Sequence, residues 1–144
     1  MKDRFDSAFK RLMIFEGGHV IDERDPGGET KYGISKRSYP DINIKSLTKQ
    51  QAKEIYRKDW WEKYKYDKMA TMCDGDYSEI AIRLFILAVN IGPKNAHKCL
   101  QRALISCGEE LDVDGIIGGA TKSLLLSNGH RIIFPFRSEA AGFY

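Results

Sequence analysis

Residues 80–91 read IAIRLFILAVNI, and only Arg83 and Asn90 among them are polar. A helix that is apolar nearly all round is one that the rest of a protein surrounds. The pair Gly92-Pro93 follows directly and ends the pattern. The stretch therefore predicts a buried central helix, and the other elements are expected to pack around it.

Toward the N-terminus, residues 3–16 predict an amphipathic helix, because apolar side chains recur there at helical spacing and two glycines follow. Glu16, in the last turn, comes 4 residues after Leu12 and 7 after Phe9. Such intervals bring side chains to one face of a helix. Glu16 is therefore predicted on the apolar face, where a carboxylate contributes nothing to packing.

The other segments predict short strands and further helices. Residues 19–40 are rich in turn formers, and the DPGG sequence at 25–28 predicts a turn between two short strands, hence a small β-hairpin. A capping box formed by Thr48 and Gln51 predicts a helix that runs to about Tyr64. Further helices are predicted over residues 94–107, over residues 121–127 and from about residue 136. The sequence thus predicts a single α+β domain over residues 1–144, mainly α-helical.

Composition narrows the classes of partner. The chain has 144 residues, of which 42% are hydrophobic, and a formal net charge of +3. These values suit one soluble domain, and the mild positive charge favours approach to an anionic polymer. The sequence has no basic block with interleaved aromatics, so we expect no nucleic-acid partner. It has no apolar run of transmembrane length and no signal-peptide pattern at its start, so we expect no membrane insertion and synthesis in the cytoplasm.

Cysteine and histidine give no metal or disulfide signal. The three cysteines, at positions 73, 99 and 107, are an odd number and a poor disulfide framework. No Cys or His spacing is typical of a zinc site, and the three histidines, at 19, 97 and 130, are scattered. We therefore expect free thiols, no metal ligands and no cofactor.

Glu16, Asp25 and Thr30 form the group of residues best suited to chemistry. Glycoside hydrolysis uses one protonated carboxyl to donate to the leaving oxygen and a second group to hold charge or activate water. Burial and the C-terminal end of a helix both raise the pKa of a carboxyl such as that of Glu16, which suits a general acid. Asp25 is placed to act as the second carboxyl, although an Asp before Pro-Gly-Gly also fits a plain turn residue. Thr30 is interpreted as a water-positioning residue or as an ordinary strand residue.

Several motifs occur in one order along the chain and carry a family resemblance. They are Glu16-Gly17-Gly18, the DPGG turn with Thr30, Lys31-Tyr32-Gly33-Ile34, Tyr56-Arg57-x-x-Trp60-Trp61, Ala88-Val89-Asn90-x-Gly92, and Leu100-Gln101-x-Ala103-Leu104 leading to Val113-Asp114-Gly115. Together they resemble glycoside hydrolase family 108, the phage-type N-acetylmuramidases. The resemblance covers residues 5 to about 127, and several ordered motifs are far more specific than one.

The resemblance implies a lysozyme-like fold and cleavage of the β-1,4 bonds between N-acetylmuramic acid and N-acetylglucosamine in peptidoglycan, with Glu16 as the catalytic residue. Asp25 and Thr30 resemble the Glu-Asp-Thr arrangement of other phage lysozymes. Tyr32 and Trp60 are candidates to stack on sugar rings, and Asn90 to hydrogen-bond an acetamido group. Core packing is the alternative for each aromatic, and it is favoured for Trp61. An endolysin of this kind acts on the wall after release by a holin, and we expect a monomer.

Two other functions stay open at this point. Ile86 stands where the family pattern has an aspartate, His19 where it has a tyrosine and Gly119 where it has a proline. The absence of a carboxylate at Ile86 favours a non-catalytic peptidoglycan-binding or secretion accessory protein, whereas the presence of Glu16 argues against it. Residues 94–127 also resemble a small peptidoglycan-binding segment, expected here to be integrated in the single domain. A lytic transglycosylase is the other alternative, since it needs the acid Glu16 but no water-positioning pair.

Overall fold

A computed structural model describes residues 4–15, 19–21, 24, 28–71 and 77–142 of the protein. Its α-helices are α1 (Arg4–Phe15), α2 (Lys49–Tyr56), α3 (Tyr66–Ala70), α4 (Ser78–Ile91), α5 (Pro93–Ser106), α6 (Gly119–Asn128) and α7 (Ile133–Ala141). Its strands are β1 (His19–Val20), β2 (Thr30–Lys31) and β3 (Ile34–Ser35). A π-helix spans Arg57–Glu62, and short 3-10 helices span Ile44–Ser46 and Gly129–Ile132.

Helix α4 is the buried centre of the molecule, as its sequence predicts. It packs against α1, α3 and α5. The fully buried Phe85 occupies its middle, and four aromatic rings surround it at centroid distances of 5.6 to 6.4 Å. Those rings belong to Phe5, Tyr56, Trp61 and Tyr66. Gly92 ends α4 with a φ of 91°, and Pro93 occupies the first turn of α5, where a missing N–H costs nothing.

Helix α1 confirms the predicted amphipathic pattern. Phe5, Phe9 and Leu12 are buried on one face, while Ile14 is 76% exposed on another. At its first residue, the Arg4 Nε donates to the Ser78 hydroxyl at 2.5 Å. This hydrogen bond joins the start of α1 to the start of α4. The buried face of α1 is the apolar face on which Glu16 was predicted to lie.

The small sheet has three antiparallel strands in the order β1-β2-β3. β1 and β2 lie on either side of the DPGG sequence, which confirms the predicted hairpin; residues 25–27 themselves lie outside the described part. The third strand was not predicted. It follows a two-residue turn at Tyr32 and Gly33, with φ values of 53° and 78°, the backbone of a type I′ hairpin turn. A tyrosine seldom adopts positive φ, so the turn was hard to predict from sequence.

The helix predicted from Thr48 to Tyr64 begins as expected and then changes type. The Thr48 hydroxyl accepts from the Gln51 N–H at 3.1 Å, and the Gln51 side chain accepts from the Thr48 N–H at 2.9 Å, which confirms the capping box. After Tyr56 the backbone becomes a π-helix, whose wider turn closes on the fifth residue. Tyr56 and Trp61, five residues apart, can therefore both reach the ring of Phe85.

The C-terminal helices begin close to the positions that the sequence predicts. Helices α5 and α6 lie within two residues of their predicted starts, whereas α7 begins at Ile133, three residues before the predicted Phe136. Phe136 is buried within it. Cys99 and Cys107 are free thiols, and Cys73 lies outside the described residues. Within the described ranges, no helix has the length and apolarity that crossing a bilayer requires.

His97 of α5 is a buried histidine, 5% exposed, that joins two distant segments. Its Nδ1 lies 2.9 Å from the carbonyl oxygen of Gly115, and its Nε2 lies 2.7 Å from the Tyr66 hydroxyl. A carbonyl only accepts, so Nδ1 carries the proton and the neutral Nε2 accepts from Tyr66. Burial lowers the pKa of His97 below its ordinary value.

We expect this histidine to make the fold less stable as the pH falls below about 6.5. The unfolded chain binds a proton at the ordinary pKa, whereas folded His97 does so only at a lower pH. The free energy of unfolding should therefore fall by up to about 1.4 kcal/mol per pH unit between those two values. Urea titrations from pH 7.5 to 5.5 measure it. His97→Gln should remove this component, and equal pH slopes for the two proteins would contradict the prediction.

Candidate active site

The predicted site residues divide into two groups. Glu16 and Asp25 lie outside the described residues; in the chain, Glu16 directly follows the last residue of α1, and Asp25 belongs to the β1–β2 connection. Thr30, Tyr32, Trp60 and Asn90 are described, and their surroundings define the site's framework. Their proposed roles in catalysis remain predictions.

Thr30 and Tyr32 lie on and beside the middle strand of the sheet. Thr30 pairs in register with Val20 of β1 and Ser35 of β3, and it is half-buried. The sheet is tied to the rest of the molecule through β2, because the Lys31 ammonium donates to the carbonyl oxygen of Lys45 at 2.9 Å. The strand thus holds Thr30 on a fixed backbone, which suits a residue that positions a small molecule such as water.

Tyr56 connects the sheet to the helical part of the site. It is fully buried, and its hydroxyl donates to the main-chain oxygen of Tyr32 at 2.8 Å. Its ring lies 5.4 Å from that of Trp60, centroid to centroid. One buried side chain therefore brings the Tyr32 turn and the Trp60 ring together, although 28 residues separate them in the chain.

The two adjacent tryptophans have different environments. Trp61 is 2% exposed and packs against Phe5 and Phe85, so its predicted place in the core is confirmed. Trp60 is half-buried at the edge of the same cluster. A partly exposed aromatic ring with its inner face packed is suited to hold the apolar face of a sugar, because it adds contact area without losing much conformational freedom.

Asn90 differs from its sequence-based interpretation. Its helix was predicted to be buried, and a buried amide needs a hydrogen-bond partner. Instead it is exposed, because the last turn of α4 emerges from the core. By helical periodicity it shares a face with Arg83 and Ile86. The side chain of Asn90 therefore lies at the surface of α4.

A charged cluster that was not predicted lies next to this face of α4. Arg11 donates through both terminal nitrogens to Glu79, at 2.8 and 3.1 Å, and the Arg83 Nε donates to the same carboxylate at 2.7 Å. The hydrogen bonds from Arg11 hold the pKa of Glu79 below its usual value, and Arg83 adds to the effect. The i,i+4 spacing of Glu79 and Arg83 was visible in the sequence. The contact with Arg11 was not, since Arg11 and Glu79 are 68 positions apart in the chain.

Within the described residues, no cluster of three or more histidine, cysteine, aspartate or glutamate side chains could hold a metal ion. The site's framework is thus made of a strand hydroxyl, two aromatic rings and an amide. With a carboxyl donor such a set can bind a sugar and break its glycosidic bond without a metal.

The chain matches a known protein family in sequence and solved structures in fold. Residues 9–92, more than half of the chain, match the sequence profile of the family described as glycosyl hydrolase 108. The fold is similar to the solved structure of Brucella abortus SagA, with a TM-score of 0.74 and 27% sequence identity, over 96% of this chain and 78% of that one. No protein of curated function matches the sequence. The profile match contains every position predicted to act on a sugar: Glu16, Asp25, Thr30, Tyr32, Trp60 and Asn90.

Proposed function

Because this chain belongs to the glycosyl hydrolase 108 family and has a lysozyme-like α+β fold, we propose that it is an N-acetylmuramidase. Its substrate is the glycan strand of peptidoglycan, and the bond cleaved is the β-1,4 link between N-acetylmuramic acid and N-acetylglucosamine. The observation that carries the proposal is the family match over residues 9–92, which includes all the candidate site residues.

In this proposal Glu16 is the general acid. Its proton goes to the glycosidic oxygen, which leaves as the 4-hydroxyl of N-acetylglucosamine, and the hydroxyl of a water molecule bonds to C1 of N-acetylmuramic acid. The remaining proton of that water restores the acid. Asp25 stabilises the developing positive charge or activates the water, and Thr30 positions it. The amide of Asn90 binds an acetamido group, and Tyr32 and Trp60 support the sugar rings.

The proposed setting is the bacterial cell wall. The enzyme is made in the cytoplasm, reaches peptidoglycan after release through a holin, and acts as a monomer without a cofactor. The net charge of +3 supports approach to an anionic wall, where long-range attraction raises the encounter rate.

Fragment analysis of digested peptidoglycan tests this function. Purified peptidoglycan is incubated with the protein, and the products are examined by mass spectrometry. A muramidase gives new reducing N-acetylmuramic ends. Anhydro ends would identify a lytic transglycosylase instead. Absence of cleavage together with pelleting of the protein on the wall would identify a binding or accessory protein.

A comparison of the two tryptophans tests the sugar-stacking role. We expect Trp60→Ala to raise the KM for glycan strands about tenfold, the effect of losing roughly 1.4 kcal/mol of aromatic contact. We expect Trp61→Ala to lower the free energy of unfolding by about 3–5 kcal/mol, because it empties part of the core. Steady-state kinetics and urea titrations of both variants separate the effects. A Trp60→Ala protein with unchanged KM would remove Trp60 from the substrate site.

A further inference from the structure

A pocket of about 340 Å³ lies where α1, α4 and α7 meet. Much of its wall is apolar, with Ile14 from α1, Ile86 from α4 and the buried Phe136 from α7. The volume falls in the lower part of the range for small-molecule pockets, roughly 300–1,000 Å³. An apolar floor of this size accommodates a few small side chains.

Among the described residues, the side chains at the rim of this pocket carry more positive than negative charge. Arg11, Arg83 and Arg137 all line it, and Glu79 is the carboxylate that pairs with the first two. Three guanidinium groups against one carboxylate leave an excess of two positive charges in this group of side chains.

Arg83 and Arg137 have N–H donors without a partner in the described part of the chain. Arg83 uses only its Nε in the contact with Glu79, and its two terminal nitrogens have no partner among the described residues. Arg137 is exposed and forms no ion pair within the described part of the chain. Guanidinium groups bind carboxylates through paired hydrogen bonds, so these two side chains favour a ligand that carries carboxylates.

The pocket also lies close to Asn90, one of the residues of the proposed sugar site. Asn90 follows Ile86 by 4 residues on α4, about 6 Å along the helix axis and on the same face. On the other wall, Ile14 precedes Glu16 by two residues in the chain. A group attached to the sugar that Asn90 binds can therefore extend into the pocket.

We propose that this pocket binds the stem peptide of peptidoglycan, an inference that rests on the proposed muramidase function. The stem is attached to N-acetylmuramic acid. It begins with an alanine, continues with glutamate and diaminopimelate, which carry free carboxylates, and ends in alanine. The carboxylates pair with Arg83 and Arg137, and the alanine methyl groups lie on the apolar wall. The protein thereby distinguishes peptide-bearing strands from bare glycan.

Calorimetric titration of the whole chain with the free stem tripeptide, Ala–Glu–diaminopimelate, tests the binding directly. We expect Arg137→Gln and Ile86→Asp each to weaken binding about tenfold, since one removes a charge-assisted pair and the other adds an opposing carboxylate. Arg102→Gln, at an exposed arginine of α5 away from the pocket, is the matched control and should bind like the wild type. The tripeptide with its carboxyls amidated should bind at least tenfold more weakly to the wild type.

Cleavage of two strand types gives the second readout. We expect kcat/KM for peptide-bearing strands to exceed that for amidase-stripped strands about tenfold, and Arg137→Gln to lower only the former value. Equal cleavage of both strands without tripeptide binding, or binding that neither variant changes, would overturn the inference and leave the muramidase function standing. Tripeptide binding that depends on Arg137, without cleavage of either strand, would contradict the muramidase function alone.

Discussion

Replacing Glu16 by glutamine is expected to lower the rate of peptidoglycan cleavage by about 10²–10⁴-fold, the usual contribution of a general acid. Glutamine keeps the size and hydrogen-bonding shape of the side chain, but it has no acidic proton to give to the glycosidic oxygen. Leaving-group departure then depends on protonation by water. Substrate binding should change little, because the substitution leaves the proposed ring-stacking and amide contacts untouched.

Release of reducing ends from purified peptidoglycan measures this effect, with wall pelleting as the assay of binding. Glu54→Gln is the matched control, since Glu54 is an exposed glutamate of α2 whose described contact is a weak one to Gln50. Both variants should unfold at the temperature of the wild type. A Glu16→Gln protein within about threefold of wild-type activity would exclude Glu16 as the acid, given the size of that contribution.

Truncation of Phe85 is expected to have the largest effect on stability. Phe85→Ala should lower the free energy of unfolding by about 3–5 kcal/mol, because it leaves a cavity where the ring meets four other aromatic rings. Domains of this kind have a total stability of about 5–15 kcal/mol, so a large part of it would be lost. The candidate active site should be disturbed as well, since one of those four rings is Tyr56, which contacts both Tyr32 and Trp60.

Urea titration at neutral pH measures the loss. Phe134→Ala is the control, since Phe134 is 79% exposed and its removal should change stability by less than about 0.5 kcal/mol. If Phe85→Ala cost less than about 1 kcal/mol, the aromatic cluster would not be the centre of the core, in view of the usual cost of removing a buried ring.

Local patterns were enough to predict much of the fold. The run of apolar residues 80–91 specified a buried helix because no face of it could be left in water. The capping box at Thr48 and Gln51 marked a helix start because both of its hydrogen bonds lie within four residues. The ordered motifs likewise predicted the family and the lysozyme-like fold, because a family is recognised from the order of residue types along the chain without any three-dimensional distance.

Features that depend on distant neighbours were missed or mistaken. The π-helix after Tyr56 follows from the need of Tyr56 and Trp61 to reach one ring of α4. The turn at Tyr32 is held by a hydroxyl 24 residues away in the sequence. The helix of Asn90 was predicted to be buried because it is apolar, yet its last turn leaves the core. A local sequence pattern does not indicate at which residue a helix leaves the core.

The sequence by itself therefore determined the central helix, the start of the second helix, the candidate acid at position 16 and the family. Only the tertiary structure decided how the sheet is joined to the helices. It also decided that three arginines from three helices border one pocket. The physical reason is that propensity, capping and periodicity act within one or two turns of chain, whereas the charge and shape of a binding surface arise from segments that packing alone brings together.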